Sequence, residues 1–317
     1  MKILLTGASG LLGSAVATAA ARRAHDVTGI VGRFSQPVPG LSRQIALDLR
    51  DGQTLARLAL DDRPDAIVNC AAIAEPGHCD ADPVGSAQIN VCLPTTLARL
   101  AATLSARIVH ISSEQVFDGR RNEPYSSQHD TNPLNLYGRQ KLESEHAVLS
   151  AAAKLAAIVR APLLLGDSVT RQRSLHERLL ADWAGGRTPR LYTDELRQPC
   201  TAAHLADVLV ELAERRELTG VFHWAGQDLV SRYTLGLRVR ERFQLPAAVA
   251  PVIATTRADT PTISPQRPAC LALDFSALAG RLQTRPLSLE QHLSALTLPP
   301  AVAEWFSRVT AGSAPQP

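Results

Sequence analysis

A chain of 317 residues, 45% hydrophobic and 20% charged, has ample material for a buried core and the charge content of an ordinary globular protein. The formal net charge of +3 comes from scattered lysines and arginines, with no basic tract of the kind that binds nucleic acid. No stretch approaches the ~20 apolar residues of a membrane-crossing helix.

One lysine precedes a glycine motif at the N-terminus, which is no signal peptide, and the expectation is a cytoplasmic chain without membrane or nucleic-acid partners. The five cysteines, Cys70, Cys79, Cys92, Cys200 and Cys270, contain no C-x-x-C pair and form neither a disulfide framework nor a zinc signature. His78-Cys79-Asp80 reads as a polar loop, because adjacent residues do not converge on one ion, and no metal is expected.

Short apolar runs alternate with longer amphipathic ones, the pattern of βαβ units. The first predicted strand, Lys2–Thr6, runs into Gly7-Ala8-Ser9-Gly10-Leu11-Leu12-Gly13, where a helix over Leu11–Arg23 begins. In that setting Gly7 permits the tight turn, Gly10 admits a pyrophosphate to the backbone, and Gly13 lets helix and sheet pack closely. The helix start, with Ser9, Leu11 and Leu12, would hold the anion of a dinucleotide.

The second strand, Asp26–Val31, ends in Gly32-Arg33 with no acid to hold a ribose 2′-hydroxyl. A guanidinium there pairs with a 2′-phosphate, so NADP(H) is preferred, with NAD(H) as the alternative. A third strand, Gln44–Leu47, precedes Asp48-Leu49, which would meet the adenine, and a helix follows over Gly52–Leu60. The fourth strand, Ala66–Cys70, is apolar on both faces, and Cys70, Ala71 and Ala72 offer small side chains beside the cofactor.

A long helix is predicted over Pro83–Leu104, with Pro94 kinking or breaking it. Asn90, on this helix, reads either as a proton-relay partner of Lys141 or as a polar residue at a helix interface. The fifth strand, Arg107–Ile111, opens through Ser112-Ser113 onto the cofactor crevice. On the next helix, Leu136–Ser150, Tyr137 and Lys141 stand four residues apart on one face. A nearby ammonium lowers a phenol that titrates near 10 when free. Ser113 can then hydrogen-bond a substrate carbonyl while Tyr137 exchanges the proton and Lys141 reaches the nicotinamide ribose.

After a sixth strand, Ala156–Arg160, the rhythm changes, with helices at about Arg171–Ala184, His204–Arg215 and Tyr233–Arg242 and an extended proline-rich loop over 251–268. The fold expected is α/β, a Rossmann-type doubly wound parallel sheet with a smaller C-terminal substrate-binding lobe. Residues 1–165 would form the Rossmann domain, 166–309 mainly the lobe (which can return strands to the sheet), and 310–317 a disordered tail.

These residues resemble the extended short-chain dehydrogenase/reductase superfamily, and within it the dTDP-4-dehydrorhamnose reductase branch. The resemblance is carried by TGASGLLG at 6–13, RPDAIVNCAA at 63–72, Ile89-Asn90-Val91, ISSEQVFDG at 111–119, Pro124-Tyr125, NPLNLYGRQKLESE at 132–145, and Arg267-Pro268 ahead of Leu271–Asp274. It implies an NADPH-dependent reductase of a nucleotide-linked 4-keto-6-deoxy sugar, with Ser113 orienting the carbonyl, Tyr137 as acid–base and Lys141 as its partner. Ile111, Ser112, Ala161 and Pro162 would line the cofactor near the nicotinamide.

The branch usually has Asp-Tyr where this chain has Glu114-Gln115, so these two residues would meet the sugar in an altered pocket. The second lobe would hold the nucleotide sugar, with Arg197, Gln198 and Arg267 toward its pyrophosphate and Trp224 either stacking on a base or buried in the core. NLYGRQKLESE and GVFHWAG at 220–226 are also similar to the regulatory β subunit of methionine adenosyltransferase. An NADP(H)-binding regulatory subunit, a nucleotide-sugar epimerase or dehydratase, and a homodimer stay open at this point.

Overall fold

The computed structural model describes residues 1–262 and 266–311. Its first half contains β1 (Lys2–Thr6), α1 (Leu11–Arg22), β2 (Asp26–Val31), β3 (Arg43–Ala46), α2 (Gly52–Asp62) and β4 (Ala66–Asn69). There follow α3 (Pro76–Ala81), α4 (Pro83–Ala87), α5 (Leu93–Leu104), β5 (Arg107–Ser113), α6 (Leu136–Ala152) and β6 (Ala156–Ala161). The six strands pair in parallel in the order β3-β2-β1-β4-β5-β6. β4 and β6 are buried along their whole length, as apolar strands covered by helices on both faces must be.

One face is packed by α1, through Leu12, Val16 and Ala20, and the other by α2, α5 and α6, through Leu55, Leu97 and Val148. The register aligns the C-terminal ends: Thr6 lies opposite Asn69, Asn69 opposite His110, and Ser113 opposite Ala161. Connections leave β1 and β4 toward opposite sides, which opens a crevice at those ends.

Two local expectations change. The helix predicted over Pro83–Leu104 is divided by a π-helical turn at Gln88–Cys92, and Pro94 falls in the first turn of α5. A proline has no N–H to bond back four residues and its ring collides with that carbonyl, so the wider turn ahead of it accommodates both defects. His78-Cys79-Asp80 lies in the short helix α3, started by Pro76 in its first turn and anchored by the buried Cys79, and not in a loop.

The second half contains β7 (Leu164–Leu165), α7 (Leu175–Ala184), β8 (Arg190–Tyr192), β9 (Leu196–Arg197), β10 (Cys200–Thr201), α8 (Ala202–Glu214) and β11 (Gly220–His223). Then come β12 (Val230–Ser231), α9 (Arg232–Arg242), β13 (Ile253–Thr255), β14 (Cys270–Leu271) and the helices α10 (Ser276–Ala279), α11 (Leu289–Ser294) and α12 (Ala303–Ala311). β11 pairs in parallel with β6 as the seventh strand of the sheet, and α8 covers the sheet beside α1. Helices α7, α9, α11 and α12 gather around a second core that includes Leu180, Trp183, Leu235, Val239 and Leu293, while Cys200 of β10 and Leu278 of α10 join the core of the sheet.

The loop expected over 251–268 is corrected: Ile253–Thr255, anchored by the buried Thr255, pairs with β8, and Arg257–Asp259 makes a 3-10 turn. Residues 263–265 of that stretch lie outside the described residues. Of the tail expected at 310–317, Thr310 and Ala311 complete α12, and 312–317 lie outside the described residues. Among the described residues, no helix is long and apolar enough to cross a membrane.

Candidate active site

The glycine loop sits at the mouth of the crevice. Gly7 has φ +69, and a Cβ there would stand 2.7 Å from the Ala71 nitrogen. A Cβ on Gly13 would stand 2.1 Å from the Gly7 carbonyl oxygen, so only glycine lets α1 start this close to the loop. Gly10 caps α1 without any side-chain bond to the first turn. Its N–H groups and dipole thus face outward beside Ser9, Leu11 and Leu12, a cradle for phosphate oxygens. Arg173, from the second lobe, brings a guanidinium nitrogen to 4.0 Å from where a Gly10 Cβ would lie. Sequence reading missed it, because Arg173 is distant in the chain and belongs to no motif.

Arg33 is exposed beyond β2, and its guanidinium makes no hydrogen bond or ion pair among the described residues. Asp48 beside it is engaged by Arg50, whose Nε donates to the carboxylate at 2.9 Å. That guanidinium holds the Asp48 carboxyl down at about 2, and Arg33 adds to the pull. Half-buried Leu49 and Cys70, buried Ala71 and exposed Ala72 continue the same rim.

At the end of β5 the Ser113 hydroxyl accepts from the Gln115 backbone N–H at 3.2 Å and stands close enough to the Tyr137 phenol to lower its pKa. Asn135 positions that phenol: as N-cap of α6 it accepts from the Gly138 N–H at 2.8 Å, while its own amide donates to Gln115 Oε1 and to the Gln266 carbonyl. Gly138 lets the helix dock, since a Cβ there would fall 2.2 Å from the Gln115 carbonyl oxygen. Neither residue was singled out from the sequence, although an Asn two positions after a proline and directly before a helix is a capping signal.

Burial pushes the Tyr137 phenol up to about 12; the Ser113 hydroxyl pulls it down, and Cys79 and Glu114 push it further up. The expectation that Lys141 holds it down is corrected, because burial dominates and the charges bearing on the phenol are negative. Lys141 is itself 2% exposed, and burial brings its ammonium down to about 8 against the pull of Glu145 and Cys70. Its Nζ has no hydrogen-bond partner among the described residues, so its donors are free for a group in the crevice. A dinucleotide therefore fits the cradle, the exposed Arg33 and the unpaired lysine together.

Behind the dyad stands a buried polar frame. Ser112 donates to Glu145, and Arg160 closes on the same carboxylate at 3.0 and 2.8 Å. Asn69 links Thr6 to His110, which reaches Ser144 on α6. Asn90 is not a partner of Lys141: it accepts from the Ile73 N–H at 2.9 Å and donates to the Ile73 carbonyl and, at 2.8 Å, to Gln140. Its place in the π turn aims it at that loop, so the helix-interface reading holds. Ile111, Ala161 and Pro162 lie at neighbouring strand ends beside Ser112 and Ser113.

Toward the second lobe, Glu114 is 4% exposed, meets Arg197 Nε at 3.2 Å, and leaves its Oε2 without a partner. Burial raises its carboxyl to about 7, opposed by Arg197 and Arg232. Gln115 is held by Asn135 and is not extended toward a ligand. The expectation that Arg197 takes a pyrophosphate is corrected: its nitrogens bond the carbonyls of Leu196, Ala269 and Pro268 as well as Glu114. Gln198 is likewise committed, accepting from the Leu273 N–H.

Arg267 pairs with Glu195 and lies over the Tyr192 ring at 4.8 Å. Trp224 is fully buried between His204 and Phe275 and is core, out of reach of any base. Asp167, His176 and Glu177 come together, yet Glu177 accepts from Ser168, Arg173 and Ser174, and Asp167 pairs with Arg171 and Thr297. Both carboxylates of that cluster are already engaged, while the buried His176 Nε2, 3.3 Å from Asp167, has no hydrogen-bond partner.

The RmlD substrate binding domain family matches residues 1–298. Methionine adenosyltransferase 2 subunit beta of Bos taurus is 33% identical over 283 residues, covering 87% of this chain and 81% of the relative. The probable low-salt glycan biosynthesis reductase Agl14 of Haloferax volcanii is 28% identical over 299 residues, covering 93% and 97%. Among solved structures, a hypothetical dTDP-4-dehydrorhamnose reductase from Sulfolobus tokodaii superposes with a TM-score of 0.78 at 27% identity, covering 94% of this chain and all of that one.

Proposed function

The chain belongs to the RmlD substrate binding domain family, and on that premise we propose that it is an NADPH-dependent reductase of a nucleotide-linked 4-keto-6-deoxy sugar. The observation that carries this reading is the Ser113 hydroxyl beside the buried Tyr137 phenol, one helical turn from a buried and unpaired Lys141, at the strand ends beside the glycine loop. Gly7, Gly10 and Gly13 would hold the pyrophosphate of the cofactor, Arg173 would close on it, and Arg33 would receive a 2′-phosphate in preference to the plain ribose of NAD(H). When bound, a reduced nicotinamide supplies a hydride.

The chain's own groups manage the proton. Ser113 donates a hydrogen bond to the C4 carbonyl oxygen and polarises it. Tyr137, which keeps its proton across the neutral range because burial holds it near 12, donates that proton to the same oxygen as the alcohol forms. Lys141, buried and without a hydrogen-bond partner among the described residues, would bind the nicotinamide ribose. NADPH oxidation with dTDP-4-dehydrorhamnose is expected, and Tyr137→Phe should reduce it by about 10²–10⁴-fold with NADPH binding retained. Absence of turnover with this and related keto-sugars would rule the reading out.

A second reading, an NADP(H)-binding regulatory subunit, is favoured by the 33% identity to the methionine adenosyltransferase subunit and by Gln115, whose amide is tied to Asn135. Co-purification with a methionine adenosyltransferase, in a protein with no turnover, would select it.

A further inference from the structure

His110, on the same strand as Ser113, is fully buried yet takes no part in the proposed proton transfer. Both of its ring nitrogens are engaged, Nδ1 by the Asn69 amide at 3.1 Å and Nε2 by the Ser144 hydroxyl at 2.9 Å. The Asn69 amide can lie only one way round. Its Oδ1 faces the Ala71 backbone N–H at 3.2 Å, a group that donates and never accepts, and also takes the Thr6 hydroxyl at 2.7 Å. Its Nδ2 therefore donates to His110 Nδ1, which is unprotonated. Burial first, and the Lys141 ammonium after it, push the ring well below its ordinary range, so it carries one proton, and that proton sits on Nε2. Nε2–H then donates to Ser144 Oγ, and the Ser144 hydroxyl donates in turn to the Lys141 carbonyl oxygen at 2.7 Å.

Thr6, Asn69, His110 and Ser144, one each from β1, β4, β5 and α6, thus form a buried chain of hydrogen bonds that runs in a single direction. Its two ends matter. Thr6 precedes Gly7, and Ala71, which shares Asn69 Oδ1, is the residue against which Gly7 packs, 2.7 Å from where a Gly7 Cβ would lie. The other end is the backbone of Lys141, whose Nζ has no partner among the described residues. The chain therefore crosses the sheet from the loop that would hold a dinucleotide's diphosphate to the residue that would hold its nicotinamide ribose. A carboxamide in the middle does not relay protons, so the work of the chain is spatial. A buried network in which every member is satisfied fixes one arrangement, because a shift of any member strands a donor in the core.

We propose that His110, held in its Nε2–H tautomer, is a positioning residue for Lys141: it sets the Lys141 turn of α6 against the glycine loop, so that one dinucleotide is met at both ends. The inference rests on the cofactor part of the reading above.

Substitutions separate the two arms of the ring. In His110→Gln the side-chain amide reaches the Nε2 position and keeps the donor to Ser144; in His110→Asn the side-chain carbonyl reaches the Nδ1 position and keeps only the link to Asn69. Calorimetric titrations of the full chain with NADPH, and with adenosine 2′,5′-bisphosphate, which has no nicotinamide ribose, read the difference. In His110→Asn and in Ser144→Ala, NADPH should bind at least about tenfold more weakly, the worth of one lost hydrogen bond, while the bisphosphate stays within about twofold of wild type. In His110→Gln both ligands should stay within about threefold. A role confined to stability would move both ligands alike, and an equal loss of NADPH in His110→Gln and His110→Asn overturns the inference. If the variants do not fold, histidine 15N spectra of the wild-type chain decide. His110, assigned through its own backbone, should show a protonated Nε2 and a bare Nδ1, unchanged from about pH 5 to about pH 9. A proton on Nδ1, or titration within that range, overturns the inference. If the wild type binds NADPH but reduces no keto-sugar, the reductase reading falls alone; if it binds no NADPH, both fall together.

Discussion

A buried ammonium at about 8 beside a phenol at about 12 divides the acid–base work of the site unequally. Tyr137 keeps its proton at any ordinary pH, so the group that changes charge near neutrality is Lys141. Its value is lowered, so it is charged below about 8 and neutral above. The kcat/KM for reduction is therefore expected to fall as pH rises through about 8; an alkaline limb appearing only above pH 10 would show that the lysine charge is not used. Arg33 gives a second test. Arg33→Ser should weaken NADPH by about 10–100-fold, the worth of a charged hydrogen bond or two, and leave NADH almost unchanged in a fluorescence titration. Ser113, Tyr137 and Lys141 were legible because chemistry constrains both their types and their spacing. Arg173 was not, because what places it beside Gly10 is a loop from the other lobe.

Helix α6 carries Tyr137 and Lys141, the two groups proposed for catalysis, and its inner face is fixed by a buried ion pair rather than by apolar contact alone. Arg160 on β6 and Glu145 on α6 are 5% and 1% exposed, and each satisfies the other with help from Ser112. Arg160→Met, which strands the Glu145 charge, should cost about 3–5 kcal/mol in denaturant unfolding, and adding Glu145→Leu should return much of it. A double variant no more stable than the single one would contradict that account. Most strands of the first half were readable from apolar runs that need burial on both faces, β3 at the edge being half-exposed. Two-residue strands such as β9 and β14 were not, since they are set by partners distant in the chain. The π turn before Pro94 was half legible: the proline announces a defect, but not which side of it the helix will widen.

Across the molecule, four of the five buried histidines among the described residues are kept neutral by burial. Burial lowers His223 and His292 to about 4, His204 by less, and His110 furthest. The unfolded chain takes up protons at these residues below about 6.5 while the folded chain does not. Stability that is complete above that pH is therefore lost as pH falls toward 4, by up to about 1.4 kcal/mol per pH unit for each group. Glu114 acts in the opposite sense, its raised carboxyl favouring the fold at low pH and losing that advantage as pH rises through about 7. Melting temperatures should fall from pH 6.5 to 4, less steeply in His292→Gln, and a parallel decline in that variant would assign the loss elsewhere. The return of β11 and α8 to the sheet has a consequence for engineering. On the proposed reading, the part of the gene that would shape the sugar pocket is not one cassette but two, residues 164–201 and the stretch from 224 on, separated by a segment that closes the edge of β6. Exchanging specificity with a relative requires transplanting both while keeping the recipient's 202–223; a single crossover near residue 165 would import a foreign edge strand and a foreign helix into a sheet evolved without them.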